Sequence, residues 1–120
     1  MDAAYVFRVR FRLDPEAVWV EPNEFETVLR LPAQPPGEPG WRFFEYNLWR
    51  GQVGDETHLR DVAADYLGVP VSAVSFRELE TDEAYLAKLK SAIAADLTPF
   101  AADSAEEVLH NHLGSSIHVQ

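Results

Sequence analysis

Histidines are the first candidates for chemistry. Two imidazoles beside a carboxylate are a common set of metal ligands, and His110 and His112 lie close together near the end of the chain. Residues two apart on a helix lie about 200° apart around its axis, so these two rings would face opposite sides. A metal site therefore requires the helix to end early, with His118 folding back beside His112. Otherwise His112 is a core histidine, and His110 pairs with Glu106 on the surface.

Paired carboxylates are the second candidates, because two of them held together can divide the roles of general acid and general base. Asp61 and Asp65 lie four residues apart, which places them on one face of a helix. Such pairs arise by chance in a chain with 20 acidic residues, and we predict that these are solvated surface. The alternative function kept open is a small metal-binding protein or hydrolase that uses His112, His118 and nearby carboxylates.

Two Gly-x-x-Gly segments, at residues 37–40 and 51–54, have a spacing found where backbone approaches nucleic-acid phosphate. Neither holds a positive charge, and Glu38 in the first would repel phosphate. The chain also lacks cysteine, a Walker loop, a dinucleotide fingerprint and a Gly-x-Ser-x-Gly nucleophile motif. We therefore assign no catalytic residue, no metal ligand and no cofactor, and we leave any small-molecule ligand unknown.

The most suggestive surface is the polar side of the first predicted strand. Three arginines project together there from an otherwise acidic chain, and a later aromatic segment could add stacking faces for an anion or for a partner's carboxylate. The six residues of this candidate interaction surface are Arg8, Arg10, Arg12, Trp41, Trp49 and Arg50. In the competing interpretation, Glu24 and Glu26 on a neighbouring strand pair with the arginines, and the tryptophans belong to the core.

Two periodicities predict the elements that position these residues. Residues 3–13 and 25–31 alternate apolar and polar side chains, which indicates two strands, and residues 18–20, 41–50, 71–79 and 115–120 have strand-like composition. After Gly54 the apolar spacing becomes helical and predicts helices that start after Asp55, Thr81 and Ser104. The whole chain, residues 1–120, is predicted to be one α+β domain. Its largely antiparallel sheet would have four to five strands, mostly in the N-terminal half, with three helices.

Charge is the most informative bulk property. The chain has 20 acidic and 10 basic residues, a formal net charge of −10, and its only lysines are Lys88 and Lys90. In about 1 M salt the screening length falls to roughly 3 Å, so this self-repulsion largely disappears. We favour adaptation to concentrated salt over an ordinary acidic protein from a GC-rich genome. Negative charge and salt both disfavour nucleic acid as a partner.

Three segments carry a resemblance to a known family. Leu48-Trp49-Arg50-Gly51, Ser75-Phe76-Arg77-Glu78-Leu79 and Leu113-Gly114-Ser115-Ser116-Ile117 resemble the small haloarchaeal proteins grouped as the LWR-salt family, over nearly the whole chain. The resemblance implies a salt-loaded archaeal cytoplasm, in agreement with the charge. It implies no activity, so no catalytic residue is transferred to this chain.

The function we expect is therefore that of a non-enzymatic interaction or structural protein that self-associates through its sheet. A homodimer or another protein partner suits the arginine strand better than nucleic acid does. No apolar run approaches the roughly 18 residues of a membrane span, and acidic and basic residues interrupt the first dozen positions, so we expect a cytoplasmic protein without a membrane partner.

Overall fold

A computed structural model of the protein describes residues 2–12 and 24–120 and shows an α+β fold. The strands within these ranges are β1 (Ala3–Arg12), β2 (Glu24–Pro32), β3 (Leu48–Trp49), β4 (Gln52–Val53), β5 (Val71–Thr81) and β6 (Ile117–Val119). The α-helices are α1 (Phe43–Asn47), α2 (Glu56–Leu67), α3 (Glu83–Ala95) and α4 (Ala105–Leu113). The strand predicted at residues 18–20, and Leu13 of the first strand, lie outside the described residues.

Four strands form the main sheet, in the order β2-β1-β5-β6. The pairs β1–β2 and β1–β5 are antiparallel, but β6 runs parallel to β5. The described sheet is therefore largely antiparallel, as predicted, with two antiparallel pairings, but it is mixed because the third pairing is parallel. The reason is the connection between β5 and β6: α3 and α4 carry the chain back, so β6 starts in the same direction as β5. Strands β3 and β4 form a separate hairpin.

The alternation along β1 is confirmed. Tyr5, Phe7 and Val9 are buried on one face of the sheet and join a single apolar cluster with residues of β2 and β5. The helices contribute the other side of this cluster through Leu59, Ala63, Leu89, Ile93, Val108, Leu109 and Leu113. None of the described helices is long and apolar enough to cross a bilayer.

Capping residues start the three longer helices. The Asp55 carboxylate accepts the His58 amide (3.1 Å), and the Ser104 hydroxyl accepts the Glu107 amide (3.2 Å), as predicted. The second of these helices begins after Asp82, whose carboxylate accepts the Tyr85 amide (2.7 Å), and not after Thr81. The predicted apolar stripes are buried or half-buried except at Tyr66, which is 60% exposed.

The prediction of a strand across residues 41–50 was wrong for Phe43–Asn47, which form α1, and holds only for the two residues of β3. The aromatic composition of the segment favours strands, yet its burial follows a helical turn: Phe44 and Asn47, three residues apart, are both buried. The Asn47 side-chain amide donates to the Phe43 carbonyl (3.0 Å), and Phe44 packs against Phe100 with ring centroids 6.0 Å apart. Tertiary packing therefore overrides local propensity, and the described part of the chain has four α-helices where three were predicted.

Candidate functional site

The face of the sheet opposite the apolar cluster is here called the open face. Because side chains alternate across a strand, it carries Arg8, Arg10 and Arg12 of β1 together with Glu24, Glu26, Val28 and Arg30 of β2. All seven are exposed, and Val28 is 39% exposed although it is apolar. The three arginines of the predicted interaction surface are thus on one surface, as expected.

Arg10 pairs with both glutamates of the neighbouring strand. Its guanidinium lies 3.8 Å from the Glu24 carboxylate and 3.8 Å from that of Glu26, and all three side chains are well exposed. Exposed pairs of this kind contribute about 0.2–1 kcal/mol to stability. The competing interpretation of the arginine strand, cross-strand pairing with Glu24 and Glu26, therefore holds for Arg10.

Arg8 has a different environment. Its cross-strand neighbours are Val28 on β2 and Ser75 on β5, and within residues 2–12 and 24–120 no carboxylate lies within ion-pairing distance of it. It lines a shallow depression of about 360 Å³ that also involves Arg10, Glu26 and Glu56. The open face thus presents, beside an exposed valine, a guanidinium that pairs with no carboxylate of the described residues.

A salt bridge crosses the open face near the Pro32 end of β2. The Arg30 guanidinium donates to both carboxylate oxygens of Glu80, at 3.3 and 3.2 Å, and so reaches from β2 over β1 to β5. Val6 lies on the open face of β1, opposite Arg30 in the strand register, and is completely buried. The hydrogen bond from Arg30 lowers the pKa of Glu80, so the carboxylate stays ionised in this arrangement.

Trp41 does not lie beside the arginines. Its ring packs edge-on against Phe44 (6.4 Å between centroids) and Phe100 (6.3 Å), on the side of the sheet that bears the apolar cluster. The structure therefore separates Trp41 from Arg8, and stacking faces and free guanidinium groups do not combine there as the sequence hypothesis required.

Trp49 and Arg50 form a second group, on the β3–β4 hairpin. Trp49 is half exposed and meets the His112 ring edge-on at 5.3 Å, while the Arg50 guanidinium lies 5.7 Å from the centre of the Trp49 ring. The two-residue loop consists of Arg50 (φ 53°) and Gly51 (φ 76°), and positive φ at both positions is the requirement of a type I′ turn.

This hairpin completes the C-terminal end of α4. The Arg50 amide donates to the Asn111 carbonyl (2.6 Å) and the Gly51 amide to the His112 carbonyl (3.0 Å). The Gly114 amide donates to the His110 carbonyl (2.9 Å), and the Ser116 amide donates to the Leu113 carbonyl (3.0 Å). All four carbonyls that an α-helix leaves unpaired at its end therefore have donors. The hairpin amides have a structural role.

His112 is buried in this junction. Its Nδ1 lies 2.8 Å from the Leu48 carbonyl oxygen, so Nδ1 carries the proton and donates it to that oxygen. His110 is exposed on α4, and His118 is exposed on β6, opposite Glu80. Across residues 2–12 and 24–120 no three histidine, aspartate or glutamate side chains are grouped so that they could hold a metal ion.

The remaining candidates do not converge on one site. Asp61 and Asp65 are both exposed on α2, and Asp55 and Asp82 serve as helix caps. Of the Gly-x-x-Gly segments, the first lies in a turn-rich loop and the second contains the hairpin turn at Gly51. These four aspartates and these glycines thus act in solvation, capping and turns.

Sequence reasoning missed how the three distinctive segments meet. Residues 48–51 cap α4, residues 113–117 lead from α4 into β6, and residues 75–79 supply the strand that receives β6, where the Leu79 amide donates to the Ser116 carbonyl (2.9 Å). The residues in the sequence that could have indicated this contact are Gly51 and Gly114. Both have positive φ, and a Cβ on either would come within 3.1–3.5 Å of the other segment's backbone.

Comparison with known proteins gives one family. The family model described as LWR-salt protein matches residues 1–120. No curated protein and no solved structure matches the chain.

Proposed function

The chain belongs to the LWR-salt family, and from that premise we propose that it is a non-enzymatic structural or interaction protein that self-associates through its sheet. One observation carries the proposal: the apolar cluster occupies one face of the sheet, while on the opposite face the described side chains of β1 and β2 from residue 8 to 12 and from 24 to 30 are exposed and none of the helix residues of that cluster lies over them. Arg8, which pairs with no carboxylate within residues 2–12 and 24–120, and the exposed Val28 lie next to each other on this face.

Charge supports contact between two copies at this surface. Among the described strand residues that pair across the open face, four arginines (Arg8, Arg10, Arg12, Arg30) balance four glutamates (Glu24, Glu26, Glu78, Glu80), and Glu56 at its margin adds one negative charge, whereas the whole chain carries −10. A second copy approaching here avoids most of the repulsion between two acidic molecules. Residues 51–120 as a whole lack this balance, since they hold 12 acidic and 4 basic side chains.

Concentrated salt is part of the same proposal. The acidic excess of residues 51–120 lies largely on exposed positions of the helices and their caps, including Asp55, Asp61, Asp65, Glu83, Asp96, Glu106 and Glu107. Such a coat is tolerable where counterions screen it over a few ångströms. We place the protein in a cytoplasm of molar salt.

The test is the mass of the protein in solution in about 2 M KCl, measured by light scattering over a range of concentrations. We expect a dimer or a higher species. Arg8→Glu inverts one charge at the free guanidinium of the open face and should weaken association, whereas Lys88→Glu, the same charge change at an exposed position of α3, should not. A monomer at every concentration, or equal effects of both substitutions, would contradict the proposal.

A further inference from the structure

We infer that two copies join edge to edge through β2, with a twofold axis at Val28, into one continuous eight-stranded sheet. This rests on the self-association proposed above and places the contact at the β2 edge of the open face, where Arg8 lies opposite Val28. Strand β2 is the outermost strand of the described sheet, nine residues long, and its outer side pairs with none of the described strands. A long unpaired edge is a ready template for another chain.

The hydrogen bonds of β1 determine which backbone groups of β2 face outward. The Ala33 amide donates to the Ala3 carbonyl (2.9 Å), and in an antiparallel ladder such bonds recur at every second residue. The odd-numbered residues of β2 therefore bond β1. The amides and carbonyls of Glu24, Glu26, Val28 and Arg30 point away from the sheet, and Pro32 closes the row because it has no amide hydrogen.

Side-chain complementarity selects the register. With the axis at Val28, each Glu26 lies opposite Arg30 of the other copy, and the two exposed Val28 side chains meet. An axis at Glu26 or at Arg30 sets like charges against each other. An axis at Thr27 or Leu29 leaves Val28 opposite a charged side chain, Glu26 or Arg30 of the second copy.

The other face of the joined sheet fits the same register. Residues whose numbers sum to 56 lie opposite each other, so Phe25 meets Leu31 of the second copy and Thr27 meets Leu29. Phe25 is only half-buried in one chain, where it stacks on Phe11 with ring centroids 5.7 Å apart. The pairing would cover it and extend the apolar cluster across the axis.

A cysteine probe tests the register directly, because the chain contains no cysteine of its own. Directly opposite Cα atoms in a hydrogen-bonded antiparallel pair lie about 5.5 Å apart, within the range of a disulfide. Val28→Cys should therefore form a covalent dimer with oxidised glutathione as the oxidant. Ser91→Cys, exposed on α3, is the matched control and should stay monomeric on a non-reducing gel.

Three further variants test the edge through the dimerisation equilibrium. Val28→Pro removes an outward amide that β1 does not use, so the chain should fold with near wild-type circular dichroism and yet lose the dimer. Glu26→Arg and Arg30→Glu should each raise the dimer dissociation constant at least about tenfold. Mixing these two variants should restore association, since their charges are then complementary at both pairs.

The outcomes separate the two proposals. If wild-type protein is monomeric throughout, self-association itself is wrong. If wild-type protein is dimeric, Val28→Pro dimerises as well as wild type, and Val28→Cys cross-links no faster than Ser91→Cys, self-association stands and the β2 edge is wrong. Loss of the dimer in Val28→Pro, rapid cross-linking at position 28 and rescue in the mixture together support the edge and its register.

Discussion

The imidazole Nδ1 of His112 lies 2.8 Å from the carbonyl oxygen of Leu48, a contact between residues 64 positions apart in the chain. It joins α4 to the hairpin whose amides cap that same helix. The ring also meets Phe44 and Trp49 edge-on, at 5.6 and 5.3 Å between centroids. The most unusual segment of the sequence, Leu48-Trp49-Arg50-Gly51, is thus a structural junction in this molecule.

Replacing His112 with phenylalanine should destabilise the protein by about 1–3 kcal/mol. Phenylalanine keeps an aromatic ring in the site but cannot donate to the Leu48 carbonyl, and an unpaired buried acceptor has a cost of this size. The measurement is urea unfolding followed by circular dichroism. His110→Phe, on the exposed side of the same helix, should change stability by less than about 0.5 kcal/mol.

The same variants address the metal hypothesis. If His112 holds a metal with His118, then Zn²⁺ should raise the unfolding temperature of the wild type, and His112→Phe should abolish that rise. With Nδ1 donating to a backbone carbonyl, we expect no such shift in either protein. A zinc-dependent shift that vanishes in His112→Phe would contradict this account of the junction.

Gly51→Ala should cost more than Gly68→Ala, although both glycines have nearly the same φ (76° and 71°). Alanine at either position adopts a strained positive φ, at a cost of about 1 kcal/mol. At Gly51 the added Cβ would also lie 3.1 Å from the Leu113 carbonyl oxygen, whereas at Gly68 nothing lies within 4 Å. The hairpin would have to move away from α4.

The difference between these two variants in urea unfolding therefore measures the docking of the hairpin on α4. We expect an excess of about 1 kcal/mol or more for Gly51→Ala. Equal losses of stability for the two variants would mean that the hairpin can move away from α4 at little cost in free energy. Its docking would then contribute little to the stability of the end of the helix.

Local features account for the successful predictions from sequence. The caps at Asp55 and Ser104 act within one turn of their helices, and the buried positions of α4 follow directly from helical spacing. The alternation in β1 likewise needs only the strand itself. Each of these features lies within a dozen neighbouring residues, so composition and periodicity suffice to predict it.

The features that sequence did not predict depend on contacts between distant segments. The aromatic run around Phe44 has strand-like composition, and only its packing on Phe100 and His112 makes it helical. The separation of Trp41 from Arg8 depends on which face of the sheet the helices cover. The hairpin turn at Arg50 was hidden because arginine is rarely found at positive φ, so the usual Asn-Gly signal is absent.

Alkaline pH should destabilise the protein through two buried phenols. Burial raises the pKa of Tyr85 to about 12, and it raises the pKa of Tyr5 further, helped by the neighbouring Tyr85 and opposed by the backbone of Phe44. In the unfolded chain both groups titrate near pH 10. Their stabilising contribution is therefore complete below pH 10 and is lost as the pH rises through 12 and beyond.

The expected slope is up to about 1.4 kcal/mol per pH unit for each tyrosine, seen in urea unfolding above pH 10. Tyr5→Phe should reduce this slope. It should not lower stability at pH 7, because within the described part of the chain the Tyr5 hydroxyl has no hydrogen-bond partner of good geometry. Tyr85→Phe should cost about 1 kcal/mol at pH 7, since it loses the bond to the Gln34 carbonyl (2.7 Å).

Salt should stabilise the folded chain. With a formal net charge of −10 on 120 residues, folding brings like charges together, and raising KCl from about 0.1 M to about 2 M shortens the screening length from about 10 Å to under 3 Å. The unfolding temperature should rise steeply over this range. Replacing Asp61 and Asp65, both exposed on α2, with asparagine removes two negative charges and should raise stability in dilute buffer but have little effect in about 2 M KCl. A chain that is fully folded in dilute buffer and loses thermal stability as KCl is added would contradict adaptation to salt.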